Sequence, residues 1–294
     1  VPRPEMRAAL RGFALRLTDL IYPPVCAGCR AATARHGALC ARCWAATHFI
    51  EPPYCAVSGD PMAFEIPDEP VRLSVLADPP AFRVARSAVV HTGLGMRLPT
   101  QLKYSDRADL APIMAQWMAR AGAELFAQAD MIVPVPLHRR RQILRRFNQA
   151  RELARALSPL AGLPVADAVL VRRRATASQV GLDRHQRAAN VRGAFDVPAR
   201  QRDRLRGRGV LLVDDVFTTG ATVQSASRAL IRGGASHVVV LTFSRVASEV
   251  AAPHMWTNVT SDPGADGAGN GLYAAALRFL QQRQGTPRQE GSEL

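Results

Sequence analysis

Val210-Leu-Leu-Val213-Asp214-Asp215-Val216-Phe217-Thr218-Thr219-Gly220-Ala221-Thr222 is the stretch that sets the fold class. Four consecutive apolar residues, Val210 to Val213, read as a strand buried on both faces, the kind found in parallel sheets with helices on either side. Asp214 and Asp215 stand at its carboxyl end. The hydroxyl side chains of Thr218, Thr219 and Thr222 then surround Gly220 and Ala221, and a helical run follows in which Val223, Ala226 and Leu230 share one face. A glycine-containing turn that opens a helix offers unpaired N–H groups to an anion, and the helix dipole favours that anion further. The two carboxylates fall where a ligand crosses the strand ends, placed to accept hydrogen bonds from sugar hydroxyls or to meet a metal. A sugar phosphate satisfies both halves. An ordinary buried strand followed by a solvated Asp-Asp turn would not require the hydroxyl-glycine-hydroxyl run at this spacing.

The 294 residues suit one catalytic-sized domain with a small accessory module. A hydrophobic content of 48% and a mean hydropathy of -0.04 indicate a soluble globular protein. The net charge of +14 is carried almost wholly by arginine, with Lys103 the only lysine. A genome that writes arginine freely explains the choice of Arg over Lys. It does not explain the surplus over acids, which favours polyanionic partners such as pyrophosphate, nucleotide or nucleic acid. Arg3, Arg7, Arg11 and Arg16 interrupt the first residues and no apolar run reaches membrane length, so neither an export signal nor a membrane span is expected. Five cysteines, four of them in two Cys-x-x-Cys pairs, fit a reducing cytoplasm and a metal site better than a disulfide framework.

Outward from the central stretch, Met6 to Ile21 has the spacing of a short amphipathic helix. It leads into Cys26-Ala-Gly28-Cys29 and then Cys40-Ala-Arg-Cys43. Paired thiolates on two tight turns make a tetrahedral Zn2+ site, and four soft ligands leave no open position, so the zinc is expected to be structural. His36 between the pairs reads as a solvated loop residue. Cys55-Ala-Val-Ser58 looks like a further knuckle lacking its second thiol, and no second zinc is expected there. Pro61 to Pro80 reads as irregular cover, Ala85 to His91 as a strand, and Gly93 to Ser105 as a turn-rich segment containing Lys103. Asp109 is placed to cap a helix with the stripe Leu110, Ile113, Met114, Trp117, Met118 and Ala121. Met131 to Pro136 begins as a strand and runs into His138, Arg139, Arg140, Arg141, Arg145 and Arg146. That basic run is either a solvated face or, if its strand shares the sheet of Val210 to Val213, part of the same ligand crevice. Asn148 opens a helix with Ala150, Leu153, Ala154 and Leu157 on one face. Ala168 to Val171 is a candidate strand, followed by a long polar stretch with the character of a lid, in which Gln179, Arg187 and Asn190 are the candidates. Gly233-Gly234 ends the helix after the central turn, and His237 to Phe243 supplies a last strand. The chain divides into a zinc-ribbon module at 19–62, a main domain at 85–247 and a poorly ordered tail at 248–294.

The two Cys-x-x-Cys pairs, Pro134-Val-Pro-Leu-His138, Arg145-Arg-Phe-Asn148-Gln149, Gln179, Arg187, Asn190 and Val213-Asp214-Asp215-Val216 with Thr218-Thr219-Gly220 together resemble the ComF family, competence-associated phosphoribosyltransferase-like proteins with an amino-terminal zinc ribbon. The central stretch is similar to the phosphoribosyl pyrophosphate (PRPP) motif of type I phosphoribosyltransferases. That resemblance implies an α/β fold, a mostly parallel sheet flanked by helices with a small hood, for which the segment before Asp130 is the candidate. It implies that Asp214 and Asp215 hold the ribose hydroxyls, that Thr218, Thr219, Gly220, Ala221 and Thr222 hold the 5-phosphate, and that Arg141 and Arg145, with His138 shaping the loop, meet pyrophosphate and its Mg2+. Thr218 stands where purine-salvage relatives carry an Asp, which argues against purine salvage. Arg146 stands where the family often has Gly, and Ser58 where many relatives keep a thiol. Three roles follow: phosphoribosyl transfer, non-enzymatic handling of single-stranded DNA, or PRPP-responsive regulation, the last without a helix-turn-helix segment to support it.

Overall fold

The computed structural model describes residues 23–62, 71–104, 107–137, 148–174 and 184–247; the helix expected over Met6 to Ile21 and the tail at 248–294 lie outside them. Along the chain come helices α1 (Ala41–Ala45) and α2 (Leu73–Ala77), strand β1 (Val84–Val90), helices α3 (Gly93–Tyr104) and α4 (Ala111–Ala121), β2 (Met131–Pro134), α5 (Gln149–Ala161), β3 (Val171–Arg172), α6 (Arg184–Val191), β4 (Phe195–Asp196), β5 (Gly209–Phe217), α7 (Ala221–Arg232) and β6 (His237–Arg245).

Val210 to Val213 form the middle of β5, which lies between β6 and β2 in a four-stranded parallel sheet of order β1-β6-β5-β2. Val210 pairs with both Val238 and Met131, and Val213 with both Leu241 and Pro134. Successive side chains of a strand point to opposite faces. Leu211 and Val213 therefore join Val239 and Leu241 against Leu98, Met114 and Leu153 of α3, α4 and α5. Val210 and Leu212 join Val238 and Val240 against Val223, Ala226 and Leu230 of α7. With helices on both faces Val210 to Val213 do not meet water, which is why that run is apolar without alternation, while Asp214 to Val216 at the strand's end are partly exposed.

The expected helix from Asn148 is α5, whose N-cap side chain accepts the Ala150 N–H at 3.1 Å. Three expectations give way. The turn-rich segment from Gly93 to Ser105 is helix α3, despite Gly93, Gly95 and Pro99, because Leu94, Leu98 and Leu102 recur along one face and are buried against the sheet. Burial outweighs poor local propensity. Asp109 caps nothing; it sits in a 3-10 turn with its carboxylate held by Arg107 at 2.7 Å, and Leu110 occupies the N-cap of α4. The strand expected over Ala168 to Val171 pairs only from Val171, and it does so antiparallel with β4 in a separate two-stranded sheet. Arg187 and Asn190, expected within the lid-like stretch, lie in helix α6. Residues before Asp130, the candidate hood, contribute β1 and α4 to the central layers.

Candidate functional site

All four strands of the main sheet are parallel, so their carboxyl ends open on one side. Asp214 and Asp215 stand there, late in β5. Asp214 Oδ1 accepts the Asp215 N–H at 2.9 Å. Removal from water, reinforced by the neighbouring charge of Asp215, pushes the Asp214 carboxyl well above the usual carboxylate range. The counter-charge comes from α3: Lys103 Nζ lies 3.0 Å from Asp215 Oδ2. His91, just past β1, faces the same pair, hydrogen-bonded through Nδ1 to Ser244 at 2.9 Å. Burial holds its imidazole below the ordinary value, against the opposing pull of Asp215. The sequence reading left Lys103 and His91 without roles. In a chain where arginine serves almost everywhere as the cation, the single lysine was the available signal, since the compact ammonium and the planar guanidinium are not interchangeable.

The turn after β5 places Gly220 at the N-cap of α7 with φ 78°. A Cβ there would lie 2.8 Å from Phe217 Cζ, so glycine is required by both backbone and space. Thr219 Oγ1 is buried without a hydrogen-bond partner among the described residues. An orphaned hydroxyl beside a helix amino end, whose first N–H groups also lack intrahelical acceptors, is a ready donor set for an anion. Thr218, Thr219, Gly220 and Ala221 line a cavity of about 680 Å³ that Asp60, Arg72 and Arg245 also line. Thr222 follows in the first turn of α7.

His138, Arg141 and Arg145 lie outside the described residues, but the anchors of their segment do not. Val135 N–H donates to Val213 at 2.9 Å and Asn148 Nδ2 donates to Val135 at 3.0 Å, so both ends of the basic stretch are tied beside the start of the acidic pair. Gln179 also lies outside the described residues. Arg187 is in α6, and Asn190 in the same helix accepts from Arg174 through its carbonyl at 2.8 Å. Ser225 of α7 donates to Val191 at 2.6 Å, tying the end of α6 to the phosphate-turn helix.

At the other end of the chain, one Sγ from each of Cys26, Cys29, Cys40 and Cys43 lies within 4.8 Å of the rest. That spacing suits four thiolates on one tetrahedral Zn2+, whose sulfurs stand about 2.3 Å from the metal. Burial opposes ionisation of Cys26, but the N–H groups of Cys40, Cys29 and Gly28 outweigh it and bring the thiol down to about 6. Burial and the adjoining thiols push Cys43 up to about 12.

The Double zinc ribbon domain family matches residues 17–72, and the Phosphoribosyl transferase domain family residues 147–274. DNA utilization protein YhgH of Escherichia coli (strain K12) is 33% identical over 225 residues, 74% of this chain and 88% of that protein. The protein of the same name from Salmonella typhimurium is 32% identical over 228 residues, 75% and 96% of the two chains. Competence protein F of Haemophilus influenzae is 35% identical over 116 residues, 40% of this chain and 50% of that protein. No described helix is long and apolar enough to cross a membrane.

Proposed function

The chain belongs to the ComF family, and on that premise we propose that the crevice at the end of β5 binds PRPP together with Mg2+. The observation that carries this reading is the conjunction of Asp214 and Asp215 with the Gly220 turn and the unsatisfied Thr219 hydroxyl, one feature for the sugar and one for its phosphate. Asp214 and Asp215 accept the ribose hydroxyls, and Thr218 to Thr222 take the 5-phosphate. Lys103 holds Asp215 while the site is free, reducing the repulsion between two neighbouring carboxylates. His138, Arg141 and Arg145 would face the pyrophosphate, and Gln179, Arg187 and Asn190 belong to the segment that closes over it. Bound Mg2+ would neutralise that pyrophosphate as it leaves. In phosphoribosyl transfer the C1–O bond to pyrophosphate breaks, positive charge develops on the ribose, and a bond forms to an incoming nucleophile; the two carboxylates are well placed to stabilise that charge.

The relatives' names point to DNA utilization and competence, and we extend that setting to this chain, with single-stranded DNA as its partner and the surplus of arginines as the support. A reducing cytoplasm suits its free thiols. The decisive test is calorimetry with PRPP and Mg2+ on Asp214→Asn/Asp215→Asn, which removes charge at nearly constant size. Affinity should fall at least about tenfold, roughly 1.4 kcal/mol, with the fold retained. Wild-type affinity in that variant would displace the site.

A further inference from the structure

A double zinc ribbon carries two metal sites, and this chain supplies thiols for one. The first knuckles of the two ribbons nevertheless repeat each other bond for bond. In one, Val25 bridges Ala32, Cys26 N–H donates to Ala31, and Arg30 N–H donates to Cys26; in the other, Tyr54 bridges Pro61, Cys55 N–H donates to Asp60, and Gly59 N–H donates to Cys55. Arg30 and Gly59 share the left-handed conformation, at φ 66° and 69°. The second halves repeat too. Cys40 is the N-cap of α1 and its N–H points at Cys26 Sγ (3.3 Å); Arg72 is the N-cap of α2 and its N–H points at Cys55 Sγ (3.5 Å). Position for position, the ligand set Cys26, Cys29, Cys40 and Cys43 becomes Cys55, Ser58, Arg72 and Val75. One thiol remains, and no other Cys or His occurs between Cys55 and Val90. These residues do not fit zinc.

What stands in the place of the metal is a buried ion cluster. The Asp60 carboxylate has Arg72 Nε at 3.0 Å and Arg245 Nε at 3.6 Å. Each guanidinium also donates to a carbonyl of the knuckle, Arg72 to Pro61 at 2.5 Å and Arg245 to Ser58. Two fixed cations thus cross-link the turn to α2 and to β6, which is the mechanical task of a structural ion. The cluster reaches further. The Arg245 guanidinium lies 4.1 Å over the Phe217 ring, Val246 N–H donates to Phe217 at 2.9 Å, and that ring fills the space beneath Gly220.

We propose that the second ribbon is a metal-free clasp, closed by Asp60 between Arg72 and Arg245, and that through Arg245 it positions the Phe217–Gly220 turn. Asp60 is then a positioning residue for the phosphate turn, a role that rests on the sugar-phosphate reading only for its consequence and not for its test. Metal analysis of the full chain should give one zinc, unchanged in Cys55→Ser and Asp60→Asn and lost in Cys29→Ser. In ligand-free Asp60→Asn, the buried guanidinium of Arg245 and the partly buried one of Arg72 lose their carboxylate, and the melting temperature should fall by roughly 10 °C whether or not a chelator is present. Amides of residues 218–222 should exchange with solvent at least about tenfold faster than the general loss of stability, read from the amides of β2, accounts for. Two zincs per chain, a loss of zinc in Cys55→Ser, or exchange at the turn that rises no more than in β2 would each overturn the clasp. Should Asp60→Asn fail to fold, Ser58→Cys/Arg72→Cys/Val75→Cys decides the matter: rebuilding the ligand set should raise zinc to two equivalents, and a single equivalent would refute the correspondence of positions. None of these readouts involves PRPP, so the clasp and the proposed ligand can fail separately.

Discussion

Two clusters of opposite charge flank the end of the sheet, and they are balanced differently. Around Asp60, one carboxylate meets two guanidiniums that also bond backbone carbonyls, while around Asp215, two adjoining carboxylates share a single ammonium from Lys103. The first arrangement leaves no negative charge waiting for a partner, and it behaves as a cross-link. The second leaves more acid than base in a partly buried place, and the cost appears in the Asp214 carboxyl, held far above its ordinary range. Burial perturbs ionisation in both places, bringing the Arg245 guanidinium down to about 10 as well, so what sets the acidic pair apart is its excess of acid over base.

The contrast can be strained hardest at the one cross-link made by a metal. Cys29→Ser should release zinc and unfold the Cys26–Cys43 ribbon, because a structural zinc supplies much of a small ribbon's folding free energy, on the order of 10 kcal/mol in isolated zinc-finger peptides. Limited proteolysis should then cut within residues 26–43 while the knuckle at Cys55–Pro61 stays protected. Cutting in both would mean that the second ribbon depends on the first. A smaller effect is expected of Lys103→Met, which strips the acidic pair of its cation. Stability at neutral pH should drop by about 1 kcal/mol, since the pair is partly solvated, and the loss should shrink in high salt. A loss of the same size at every salt concentration would assign Lys103 to packing instead.

The remaining effect is of similar size and has the opposite sign. The Asp214 carboxyl is raised in the folded protein, so the folded state holds this proton more tightly than the unfolded chain does. Wild-type stability should therefore fall as pH climbs from the ordinary carboxylate range through Asp214's raised value. Asp214→Asn removes that penalty. It should match the wild type in acid and gain about 1 kcal/mol toward neutral pH, a rise of ~2–4 °C in melting temperature, while losing PRPP affinity. Thermal melts across pH check this, and an Asn variant no more stable at pH 7 would show that Asp214 is not held against its charge.

Much of this was legible in the chain. Val210–Val213 read as an interior strand and are one, and Asp214 through Thr222, the proposed ligand-binding run, are consecutive residues in which strand, turn and helix amino end follow one another by local geometry. The Cys26–Cys43 thiols were legible for the same reason, since each knuckle closes over a few residues. Helix α3 was not. Its glycines and proline argue locally for turns, and it forms because three leucines bury against strands that the chain reaches later.

That difference marks what neighbouring residues can settle and what they cannot. Thiol pairs, an all-apolar strand and a hydroxyl-glycine turn are short-range devices, so their residue types announce them. Lys103 against Asp215, His91 beside Ser244, and Asp60 between Arg72 and Arg245 join segments remote in sequence. They meet because β6 lies between β1 and β5, bringing the ends of all three strands together. Strand order comes from the collective burial of both sheet faces, a property of the whole core that no single stretch contains.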